Sequence, residues 1–132
     1  MTEYVSTPQS HCQWGGARGD ITPPEGIYHR MWGAATHDRA AGIHRPLTAT
    51  VMVFDDESQE SVRHAWITLD HCLLGVRELD PILQAIESRH GIPADAVTVS
   101  FSHTHAAGLL GHDRRELPGG ELIAGYLETV AE

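Results

Sequence analysis

Lysine is absent from this sequence, and all 9 of its basic residues are arginine. Against 18 acidic residues they leave a formal net charge of -9 and a pI near 5.5. A surface with that balance repels polyanions, which excludes nucleic acid as a partner held by bulk electrostatics. Long apolar runs are missing too, and none approaches the roughly 20 residues needed to cross a bilayer. The opening, Met1 to Gln13, has no basic segment followed by an apolar stretch, so it does not read as a signal peptide. The cytoplasm is then the default location, with secretion expected instead if the natural start lies upstream. Cysteine is scarce. Cys12 and Cys72 can form at most one bridge and lack paired metal-ligand spacing, so two free thiols are expected. There is no HExxH, phosphate loop or GxGxxG, and no repeat, low-complexity tract or linker. Residues 1–132 are accordingly expected to form a single unit.

What the chain does have is histidine, 10 of its 132 residues, and a hydrophobic fraction of 41%, enough for a core. Residues 14–21 form a glycine-rich approach to a short strand, stopped by Thr22-Pro23-Pro24, because two prolines cannot donate ladder hydrogen bonds. Residues 26–46 show no period and are expected to form a long loop, of the kind that in compact domains is often functional. Residues 47–55 are rich in β-branched side chains and end in the acidic turn Asp55-Asp56-Glu57-Ser58. Residues 62–69 give a second strand, so a hairpin is the economical arrangement. A helix follows, with Asp80 as its cap, Pro81 at its first position, Ile82, Leu83 and Ile86 as its apolar stripe, and Gly91 as its end. Residues 96–102 make another strand. A last helix is expected after Pro118-Gly119-Gly120, with Leu122, Ile123, Tyr126, Leu127 and Val130 on one face.

The pattern implies an α/β fold: a mixed sheet with a hairpin followed by a right-handed parallel βαβ unit, an incomplete part of a larger domain. Parallel pairing puts the carboxyl ends of both strands on one sheet edge, where such sheets hold their ligands. At one of those ends stands Asp70-His71-Cys72, and at the other Ser102-His103-Thr104-His105. His103 and His105 are two apart, so in extended chain they face the same way. Imidazole suits zinc, and a catalytic zinc keeps three protein ligands and one open position. An isolated H-x-H is weak, and the competing reading is a pair of half-exposed histidines at a sheet rim. For Asp70 the competing role is to cap a helix or bond loop amides, and for His71 and Cys72 it is packing, with no paired base to make Cys72 a nucleophile. His37, His44 and His112 fall in loops, where solvated side chains are the rule. His44 stands out for its tight run Gly42-Ile43-His44-Arg45-Pro46.

Four runs in order resemble the neutral/alkaline, non-lysosomal ceramidase family, between about Trp14 and Gly108. They are Gly16-Ala17-Arg18-Gly19-Asp20-Ile21-Thr22-Pro23-Pro24, the segment from Gly42 to Ala49, the strand-ending Asp70, and Gly91 to Val97 leading to Ser102-His103-Thr104-His105. The resemblance implies a zinc-dependent hydrolase of amide bonds in ceramide-like lipids or other N-acyl compounds. It implies His103 as a zinc ligand and His105 as a catalytic companion that stabilises or protonates the reacting amide. Asp70, by its strand end, and His44, by its tight glycine turn, are the candidates for supporting positions. The resemblance also implies that the other ligands, a histidine, a glutamate and a tyrosine, lie beyond Glu132, in a remainder of the catalytic domain that this chain does not contain. The chain departs from the family where Ala106-Ala107-Gly108 replaces Ser-Gly-Pro and where Ser102 replaces threonine. Two alternatives stay open: a domain that keeps the fold without the chemistry, and a barrel amidohydrolase with H-x-H at a strand end. The proline-rich opening and the hairpin speak against the second.

Overall fold

A computed structural model of the chain describes residues 11–56 and 62–132. Most of the opening segment and the Glu57-Ser58 part of the acidic turn lie outside the described residues. Four strands, β1 (Gln13–Asp20), β2 (Thr48–Asp55), β3 (His64–Leu69) and β4 (Val97–Phe101), form one sheet in that order. Antiparallel pairing joins β1 to β2 and β2 to β3, and β3 runs parallel to β4. Helix α1 (Val76–His90) makes the crossover between the parallel strands, and α2 (Ile123–Ala131) closes the chain. The hairpin, the βαβ unit and the mixed sheet are as the sequence leads one to expect.

Alternation decides which face of the sheet is covered. On β3, Ala65, Ile67 and Leu69 are buried, whereas Trp66 between them is exposed. The inner residues Ile67 and Leu69 pack with Ile82 of α1 and with Ile123, Tyr126 and Leu127 of α2. The outer face carries a polar ladder instead: the Trp66 indole donates to Ser100 Oγ at 3.0 Å, and Thr68 and Ser100 share a hydrogen bond at 2.9 Å. All of β1 is exposed. No helix among the described residues is long and apolar enough to cross a membrane.

The start of α1 departs from expectation. Its cap is Gly75, not Asp80, and Pro81 lies inside the helix. Proline near the start forfeits a single backbone bond, here the one its amide would have made to Arg77, and the helix continues through it. The core stripe shifts accordingly to Leu79, Ile82 and Ile86, and Leu83 drops out of it. Gly91 does close the helix, left-handed at φ 66 with its amide on Glu87 O. The loop over 26–46 is also less irregular than its sequence: Tyr28 and Arg39 form an antiparallel bridge, and the His29 amide donates to Asp38 O at 2.7 Å. Two glycines hold this loop against the rest. A Cβ on Gly119 would run into the backbone of Gly26 and Tyr28, and one on Gly108 would lie 3.1 Å from Tyr28 O. Both have positive φ, so no side chain substitutes without strain.

His71 is wholly buried beneath the sheet edge. Tyr126 OH donates to Ile21 O at 2.7 Å, so it must accept from the Nε2–H of His71, also at 2.7 Å, and Nδ1 is left without a partner. Burial drives the His71 pKa from 6.5 down to about 4, against the opposing pull of the Asp70 charge. Between those values the unfolded chain binds a proton that the folded chain refuses, so stability is present above 6.5 and is lost as pH falls toward 4. The displacement is worth about 3 kcal/mol. Urea denaturation should therefore show a falling midpoint between about pH 7 and about pH 4.5. A flat profile across that window would mean that His71 is solvated.

Candidate functional site

Three consecutive residues at the end of β3 go three different ways. Asp70 turns back to β2, where its Oδ2 accepts from Thr48 N at 2.8 Å and Thr48 Oγ1 at 2.9 Å. Burial alone would raise its pKa, but hydrogen bonds from Thr48 and Ser102, together with the Arg18 charge, hold it below the ordinary value. His71 enters the core. Cys72, also buried, faces the end of β4. Asp70 thus latches strands together and does not cap α1.

At the end of β4 the chain leaves the sheet through His103, whose φ of 57 makes it the non-glycine residue with positive φ among those described. A left-handed histidine is uncommon and costs energy, and such residues cluster at functional sites. The kink means that His103 and His105 do not meet by strand alternation, as extended chain would have it. Their rings meet edge to face, with centroids 5.3 Å apart. The Nδ1 of His103 lies 3.0 Å from the carbonyl oxygen of Cys72 and 3.6 Å from its Sγ. A carbonyl only accepts, so the proton is on Nδ1 and the lone pair is on Nε2. This is the arrangement in which a backbone carbonyl orients a metal-binding histidine.

His105 is held the other way round. The Trp32 indole donates to its Nδ1 at 2.8 Å, and the two rings are tilted at 51° with centroids 4.8 Å apart. Nearby, His29 donates from Nε2 to Ala106 O at 2.9 Å and stacks on His37. His29 therefore joins the 26–46 loop to the H-x-H segment.

Cys72, His103 and His105 each offer an atom that could ligate a metal ion, all within 4.8 Å of one another. The donor set suits zinc or a similar borderline metal. A metal placed between Cys72 Sγ and His103 Nδ1 would require Nδ1 to surrender the Cys72 carbonyl, so Nε2 is the better donor. Beside the cluster lies a cleft of about 490 Å³, walled in part by Asp70, Thr104, Ala106, Ile43 and His44. His44 is exposed there, outside the three-residue cluster. Of the sequence candidates, His103 and His105 come together, and Asp70 and His44 meet only across the cleft. Cys72 and Trp32 were not among them. Cys72 had the same signal as Asp70, a position at a strand end. Trp32 had none, because it sits in an aperiodic loop 73 residues from the ring it bonds.

No protein-family model matches the sequence, and no curated protein matches it. Its fold does resemble solved structures. The neutral ceramidase from Pseudomonas aeruginosa is 17% identical with a TM-score of 0.67, over 93% of this chain and 21% of that one. A ceramidase complexed with C2 is likewise 17% identical with a TM-score of 0.69, over 90% of this chain and 20% of that one. The chain thus spans about a fifth of the length of these proteins, and at such identity the likeness is one of fold.

The geometry of Asp70 separates structure from metal binding. Asp70→Ala should cost about 1–2 kcal/mol of stability by leaving the Thr48 donors unpaired. Thermal denaturation of the variant measures the effect. An unchanged melting temperature would mean that the Thr48 bonds do not hold the strand ends together.

Proposed function

We propose that this chain carries part of the metal centre of a zinc-dependent amide hydrolase acting on a ceramide-like lipid or another N-acyl compound. The observation that carries the reading is the His103 Nδ1–H bonded to the Cys72 carbonyl, which leaves Nε2 bare at a strained strand end. The fold likeness to ceramidases and the ordered runs between Trp14 and Gly108 support it further.

In this reading His103 holds the metal through Nε2, and the further ligands come from the remainder of the catalytic domain in a longer protein. When bound, zinc acts as a Lewis acid toward the carbonyl and lowers the pKa of water to about 7. His105 stands beside the reacting amide with a proton on Nε2, able to donate to its oxygen or to its departing nitrogen. Ile27, Ile43, Pro23 and Leu47 give the adjacent cleft apolar walls, suited to an acyl chain. Asp70 keeps the edge together by tying the end of β3 to the start of β2. A second reading, a domain that keeps the fold without the chemistry, has the Ala106-Ala107-Gly108 run in its favour.

Alone, the 132-residue chain should release no measurable sphingosine from ceramide even when supplied with zinc, since His103 is the one residue assigned as a ligand in this reading and a catalytic site needs about three. In a longer protein containing this segment, His103→Ala should abolish both zinc retention and activity. His105→Ala should keep the metal and lower turnover about 100- to 10,000-fold, and His44→Ala should leave zinc content unchanged. Metal content by mass spectrometry beside initial rates tests all three. A full equivalent of zinc in His103→Ala would overturn the assignment.

A further inference from the structure

We infer that Trp32 is a positioning residue for His105: its indole N–H locks the His105 ring with the proton on Nε2, which makes that nitrogen a donor and bars it from ligating the metal. The inference rests on the proposed function only for the word metal; the ring lock stands on geometry alone.

An indole nitrogen can only donate a hydrogen bond, and a neutral imidazole carries one proton on one of two nitrogens. With Trp32 Nε1 2.8 Å from His105 Nδ1, the lone pair must be on Nδ1 and the proton on Nε2. His103, two residues earlier, has the opposite assignment, because its Nδ1 faces the Cys72 carbonyl. One H-x-H run therefore presents one bare nitrogen and one N–H, with centroids 5.3 Å apart. For His105 to ligate through Nε2, its proton would have to move to Nδ1 and confront the indole N–H. The Trp32 bond opposes that change.

Trp32 is not held in place by burial, since 57% of its surface is exposed. Its position comes from the loop. The Ala35 amide donates to Trp32 O at 3.0 Å, and Arg30 donates to Ala35 O at 2.9 Å while pairing with Asp38 at 3.2 Å. His29, three residues before Trp32, bonds Ala106 O, one residue beyond His105. The donor and the ring it fixes are thus tied by two contacts, side chain to side chain and side chain to backbone.

Long-range proton–nitrogen correlation spectra of isotopically labelled protein, at about pH 8.5 and well above the range where free imidazole titrates, read the ring protons directly. His105 should show a single tautomer with a pyrrole-type Nε2 and a pyridine-type Nδ1, and His103 the reverse. Trp32→Phe keeps the ring contact and removes only the N–H. It should give His105 averaged signals from both tautomers. A His105 with its proton on Nδ1, or already averaged in the unsubstituted protein, overturns the inference, and that measurement needs no variant to fold. Added zinc should then shift Nε2 of His103 and leave the Nε2–H of His105 intact, whereas in Trp32→Phe both rings should respond. Loss of the His105 Nε2–H on zinc addition to the unsubstituted protein also overturns it. If zinc moves neither ring, the metal reading fails while the tautomer result still decides the role of Trp32.

Discussion

The parallel pairing of β3 with β4 is the constraint on which the site depends. Its last bond runs from the Ser102 amide to the Leu69 carbonyl at 3.0 Å, and the same carbonyl accepts from His71 N at 2.8 Å. Up to that point the two strands are locked in register, Leu69 opposite Phe101. Beyond it both chains are free to diverge, yet they start from a fixed separation. Cys72 and His103, 31 residues apart in sequence, come within a hydrogen bond because both lie just past this joint. Were the strands antiparallel, the two ends would lie at opposite edges.

Protons at this edge are allocated by partners that have no choice of role. A backbone carbonyl can only accept, and an indole N–H can only donate, so each fixes a histidine tautomer without ambiguity. The Cys72 carbonyl gives His103 a bare Nε2, and the Trp32 indole gives His105 a protonated one. Tyr126 does the same for His71, because its own proton is committed to the Ile21 carbonyl. Three histidines are thereby set in two tautomers and three roles. One is a potential ligand, one a donor, and one a buried neutral group that makes the fold sensitive to acid.

The elements themselves were legible because their signals are local. The β-branched residues over 47–55 and 96–102, the two prolines after β1 and Gly91 after α1 each act through near neighbours in the chain. The helix start was misplaced because Asp80-Pro81 is a valid cap-and-first-turn pair. The stripe through Leu79, not the cap, decided where the helix lies. The aperiodic stretch over 26–46 read as loop, and its internal bridge between Tyr28 and Arg39 left no trace in the pattern.

By itself the sequence determined the strands, the helices, the crossover and the placement of Asp70 and His103 at neighbouring strand ends, since periodicity and the handed geometry of βαβ units carry that much. Only the tertiary structure decided that Asp70 latches β2, that Cys72 turns toward His103, and that Trp32 reaches His105. Those are contacts between residues 22, 31 and 73 positions apart. A hydrogen bond between distant segments depends on where each backbone has already been put, and a strand end or an exposed loop offers no repeating pattern from which that position can be read.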